Sequence, residues 1–391
     1  MRLRSAWLLC TALLTTSCTA APTWQSIDLG SLRPAGLAVA GDRLLVGGST
    51  SGGPALAVLN TTGTPTALRV APDGPEAEAA ELVQLAVRGD QLQALGTMIS
   101  GAHSNPRWTV WDSSLSAGTL TSHPQEFFTF GGHDAGPLVG IGWVGDAPVV
   151  LGSRTTATGA RAALYAESGT TWTEVADRPA TLASNPTSQL GFGGQSSAGD
   201  QLVIAGDEVQ LTQPLRQRPL AWVGRPGGDW TRLELAVPGQ DGPGLARAQA
   251  VACPAEGTSC WLAGWVHGQL VAWSVTTGTQ PSASGPELPA GTTSAAVGSN
   301  GSPDPVPQLA LWQGRPVLAG NGPDSTLLVR CDSGWRSLPL PDRRDGSTTI
   351  RPGQGDSEPS PPITVTGLAG VGARLYVLQG RTLWAIDRSP C

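Results

Sequence analysis

The chain has 391 residues, 24 basic and 30 acidic side chains and a formal charge of −6, and every one of the 24 bases is arginine. That balance argues against nucleic acid as a general partner, because phosphate binding needs a basic face. The lack of lysine excludes a P-loop lysine, a pyridoxal Schiff base and a lysine general base.

The N-terminus reads as a targeting segment over residues 1–17. Arg2 and Arg4 precede a short apolar stretch at 6–14, too brief to stay in a bilayer. The stretch ends in Leu-Leu-Thr-Thr-Ser-Cys, which resembles the acylation site of bacterial lipoproteins and implies lipidation at Cys18. The usual leucine three residues before the cysteine is Thr15 here, so ordinary cleavage near Ala20 or Ala21 is the alternative. Residues 18–21 would then be a tether, and the body is expected outside the cytoplasm, lipid-anchored in the cell envelope or else secreted. No second hydrophobic span follows.

From residue 22 onward one pattern repeats: apolar strand, Gly-centred turn, apolar strand, then a polar stretch and further strands. The turn glycines are Gly41, Gly89, Gly145, Gly199, Gly257, Gly314 and Gly372, spaced 48 to 58 residues apart. A period of this length with strands inside each unit marks radial β repetition. With no long 3.6-period apolar run past the N-terminus, the fold class is all-β. The expectation is a single seven-bladed β-propeller over 22–391, with four antiparallel strands per blade. A blade cannot bury both faces alone, so blades must stack around an axis.

The seventh unit stops one strand short, and the N-terminal segment PTWQSIDLG (22–30) matches the missing strand. The N-terminal strand is therefore expected to close the last blade and leave no open edge between the termini. Residues 291–306 and 342–362 are polar stretches between units, read as mobile insertions.

Six cysteines fit export. Cys253 and Cys260 flank one turn and are expected to staple it; Cys331 and Cys391 hold equivalent places in neighbouring units and form the second candidate pair. A metal site is the alternative for these four, but there is no CxxC spacing and no nearby His, so no metal or cofactor is assigned.

The turn YAESGTTW (165–172) resembles the Asp-box of sialidase-type propellers, with Glu167 for the acid and Gly169, Thr171 and Trp172 in place. The resemblance implies architecture: an acid capping a tight turn and a Trp between blades. A sialidase site would need an arginine triad and a Tyr nucleophile, yet the two tyrosines, Tyr165 and Tyr376, lie in predicted strands. HExxH, GxSxG and a Rossmann GxGxxG are missing too. His123 and His133 flank PQEFFTFGG, which with Asp134 is a conceivable metal set but reads better as a solvated loop. Arg88-Gly89-Asp90 spells an adhesion tripeptide at a position that is a hairpin turn in several units.

Function is expected in the loops that do not repeat. Loops between second and third strands and those between blades open on one face. There the chain places Arg107, Arg154, Arg161, Arg216, Arg218 and Arg247, Asp207, Glu208 and Asp241, His133, and the aromatic residues Phe127, Phe128 and Phe130. Arginines beside exposed aromatics suit a carboxylate-bearing sugar, a peptide or a protein. The leading expectation is a monomeric, non-catalytic envelope protein that binds a protein or glycan, similar in plan to the eight-bladed propeller lipoprotein of outer-membrane assembly. The alternative is a glycosidase or lyase using Asp207 and Glu208 at the channel mouth. A quinone-dependent dehydrogenase is a third possibility, weakened by the scarcity of His.

Overall fold

Turn chemistry sets the local structure. A computed structural model describes residues 23–100, 105–238, 245–255, 257–287, 306–321, 326–341 and 364–391. The targeting segment 1–17, Cys18, the tether, Asp241 and the insertion at 342–362 lie outside the described residues, as does all of 291–306 except Val306. Gly41, Gly89, Gly145, Gly199, Gly314 and Gly372 have φ between 56° and 73°, which suits glycine because side chains with a Cβ disfavour that region. Gly257 departs from the pattern, since its turn is longer and is closed by the Cys253–Cys260 disulfide (Cα–Cα 4.3 Å).

Among the described residues the strands form five four-stranded sheets and one eight-stranded sheet. The four-stranded meanders cover residues 33–71, 81–123, 135–174, 188–234, 246–287 and 308–338, here units one to six. The closing unit covers 365–386 and takes its outer strand from Gln25–Ile27, which pairs with Thr382–Ile386 through Gln25↔Ala385, Ser26↔Trp384 and Ile27↔Leu383. The eight-stranded sheet arises because the outer strands of units one and two, Pro65–Ala71 and Thr119–His123, pair in parallel at Arg69↔Thr119, Val70↔Leu120 and Ala71↔Thr121.

The inner strands touch one another in chain order, and that of the closing unit returns to that of unit one. Close approach demands small residues: a Cβ on Gly36 would lie 2.6 Å from the carbonyl oxygen of Val83 in the next unit. Most inner strands also carry a bulge at a recurring place. Register slips at Ala35, Val83, Val139, Gly193 and Thr366, each six residues before its turn glycine, and at Gln249 in unit five. An extra residue bends its strand, and these bulged residues all line the central channel.

The core lies between units. In one cluster Leu151 and Leu164 of unit three pack with Ile204, Leu220 and Trp222 of unit four. The other clusters straddle boundaries in the same way: Leu45 and Leu56 with Leu82 and Trp111, Val203 and Val223 with Leu262 and Trp273, and Val317 and Val329 with Leu375 and Val377. Burying a Leu, Val or Ile side chain stabilises by about 1.5–3 kcal/mol, so the boundaries carry the stability of the ring. The second disulfide, Cys331–Cys391, ties the end of the chain to the third strand of unit six. Two disulfides fit an oxidising compartment. Among the described residues, no helix is long and apolar enough to cross a membrane.

Candidate functional site

Among the described residues, the channel has an uncharged lining. Its space of about 380 Å³ is lined by inner-strand residues, including Gln84, Gln195, Gln249, Gln308 and Thr366, and no charged side chain is among them. Both amide atoms of Gln195 and Oε1 of Gln249 are buried without a protein hydrogen bond, an arrangement that water satisfies where a cavity is polar and roomy.

The acids expected at its mouth do not converge. Asp207 and Glu208 are consecutive on Gln201–Gln210, so they point to opposite faces of the sheet. Asp207 accepts from Gln217 Nε2 at 2.6 Å and lies 3.9 Å from Arg247 Nε. Burial pushes its carboxyl above the usual range, opposed by Gln217 and Arg247. Glu208 is buried and meets Arg232 at 2.6 Å. Burial would raise Glu208 as well, but hydrogen bonds from Arg232, Ser188 and Gln210 outweigh it and hold the carboxyl low.

Most of the expected arginines are also turned inward or paired. Arg154 is only 7% exposed and donates to the carbonyls of Phe128, Thr129 and Gly131 and to Asp134 Oδ1, each at 2.9 Å. It holds the end of the short helix Phe127–Phe130, where carbonyls lack intrahelical partners. Arg161 pairs with Glu174, and Arg218 lies 3.6 Å from Glu234. Arg216 is exposed at the loop end of its strand, and His133 is exposed beyond the helix. Arg107 differs. Its guanidinium lies over the Phe127 ring, 4.6 Å from the centroid, and among the described residues no carboxylate pairs with it. Phe127 and Phe128 are 52% and 72% exposed.

Arg107 and Phe127 border a pocket of about 320 Å³ that sequence reasoning did not locate. Its wall comes from Pro106–Thr109 of the third strand of unit two and from the segments entering and leaving that unit. Asp73, Glu76 and Glu126 add three carboxylates, and His123 faces it with Nε2 held 2.8 Å from Asp112 Oδ1. The run PQEFFTFGG carried the available signal, because it holds three of the four phenylalanines.

Behind the pocket, Glu167 of unit three accepts from Gln93 of unit two at 3.2 Å. Glu167 lies in the strand Gly159–Ser168 and reaches across a boundary to Gln93 instead of the turn it was expected to cap, while Trp172 opposite it is buried. Burial is the main cause that raises the Glu167 carboxyl, with Asp112 adding to it and His123 and Gln93 opposing. A raised folded value means stability that is present below the ordinary value of 4.5 and lost as pH rises through the folded value. Glu167→Gln is expected to raise the denaturation midpoint at pH 7 and to lose that advantage near pH 4, in unfolding curves at the two pH values. An equal gain at both would refute the electrostatic account.

No protein-family model matches the chain, and no curated protein matches it. Among solved structures, a prolyl endopeptidase is similar with a TM-score of 0.50 at 16% identity, covering 91% of this chain and 48% of that one. The chain thus spans about half the length of that enzyme. The β-propeller domain of the Trilobed protease from Pyrococcus furiosus has a TM-score of 0.48 at 9% identity, covering 92% of this chain and 95% of that one. Pyrococcus horikoshii acylaminoacyl peptidase has 0.48 at 10% identity, covering 91% and 51%. The first likeness, together with the four-stranded sheets and the returning inner strands, shows the fold: the chain is a β-propeller.

Proposed function

We propose that the chain is a seven-bladed, exported propeller, lipid-anchored at Cys18 and monomeric, that binds an envelope protein or glycan without catalysis. The eight-stranded sheet counts as two blades joined at their rims. One observation carries the binding reading. Among the described residues, the exposed large apolar side chains Ile99, Phe127, Phe128, Leu211, Leu215 and Val306 all sit at strand ends or loops of one face, and only Val39 is at the other. We read this bias as an interaction surface whose apolar anchor is the exposed Phe127–Phe128 pair, with ring centroids 5.0 Å apart. The glycosidase or lyase alternative loses the channel as its site, since no acid lines it among the described residues.

A photo-crosslinking residue at Phe128 is expected to capture one discrete partner in the native envelope, while the same probe at Asp229, on the opposite face, captures none. Equal capture from both positions, or none from either, would overturn the reading.

A further inference from the structure

The pocket of unit two lies against an unfinished strand. The third strand, Asn105–Ser114, is ten residues long, but the fourth pairs with it only at Val110↔His123, Trp111↔Ser122 and Asp112↔Thr121. Among the described residues, nothing pairs with the outward edge of 105–109. Pro106 fixes which groups face out. It pairs with Ile99 but has no N–H, so that pair is of the non-hydrogen-bonded kind. Alternation then turns the N–H and C=O of Trp108 outward, towards the pocket that Trp108 lines.

Unit three shows what fits such an edge. There the chain leaving the fourth strand folds back over the upper part of Gly159–Ser168: Ala183 bridges Arg161, and Ser184 N donates to the Ala160 carbonyl at 2.9 Å. In unit two the corresponding segment turns away at Pro124 into the helix Phe127–Phe130, and the pocket takes its place.

We infer that this pocket receives an extended, basic peptide of a partner, which adds as the upper half of the fourth strand of unit two. The inference rests on the binding reading above and names the partner's chemistry. Backbone pairing supplies the attachment and alternate side chains the selectivity. The lining sets that selectivity: Asp73, Glu76 and Glu126 outnumber Arg107, so basic side chains are favoured, and Phe127 offers an exposed ring to apolar ones.

The test uses fluorescein-labelled octapeptides alternating valine with arginine or valine with aspartate, read by polarisation on the intact protein. The arginine peptide should bind at least tenfold more tightly. N-methylation of one alternate set of its amides should weaken binding at least tenfold, and methylation of the other set should not, because one edge alone pairs. Hydrogen exchange at Trp108 should slow on binding. Both Glu76 and Glu126 are exposed, so the double variant E76R/E126R should fold and reverse the preference. Equal effects of the two methylated sets, equal binding of both peptides, or no binding up to millimolar concentration would each overturn the inference. A crosslink at Phe128 alongside such a failure would leave the binding face standing, whereas loss of both would sink both.

Discussion

Replacing Arg154 with methionine is expected to destabilise the protein by about 2–3 kcal/mol, because it removes a buried guanidinium that several loop carbonyls share. Methionine keeps much of the volume but leaves the carbonyls of Phe128, Thr129 and Gly131 without their donor. Asp134 loses its partner too, whereas Glu174 keeps Arg161 and Arg178. Arg154→Lys should recover only part of the loss, since an ammonium cannot reproduce the planar fork that reaches several acceptors. Denaturant midpoints would measure both variants, and limited proteolysis at 124–134 would show whether the helix segment loosens. A cost below about 1 kcal/mol, typical of an exposed pair, would show that Arg154 is not the clamp described.

The disulfides should differ in weight. Cys331–Cys391 closes a separation of 60 residues and Cys253–Cys260 one of 7. In the chain-entropy account, cross-linking stabilises by restricting the unfolded chain, by about 4 kcal/mol for the longer loop and about 2.5 kcal/mol for the shorter. Cys391→Ser should therefore lower the unfolding free energy more than Cys253→Ser does. The longer link also joins unit six to the end of the closing unit, near the seam completed by Gln25–Ile27. A larger loss from Cys253→Ser would place the effect in native-state contacts instead.

Much of the architecture was legible because it depends on local chemistry. Turn glycines require a left-handed φ, and six of the seven adopt it; the cysteines joined in the two candidate pairs, and the N-terminal strand met the closing unit. The expected closing segment was longer than the three-residue strand observed. The candidate site was less legible. Arg154 reads as a surface cation until its burial among loop carbonyls is seen, and Asp207 and Glu208 look paired until strand alternation separates them.

The repeat by itself determined that the chain forms stacked four-stranded units, because hydrophobic alternation and turn residues act over a few positions. Only the tertiary structure decided which arginines are taken up by internal partners and where a strand edge is left open. Those outcomes depend on contacts between residues far apart in sequence: Glu167 of unit three meets Gln93 of unit two, and Trp222 of unit four donates to the carbonyl of Thr181 in the preceding connection at 2.8 Å. A short outer strand in unit two becomes a pocket only when the segments on either side of it fold around its unpaired edge.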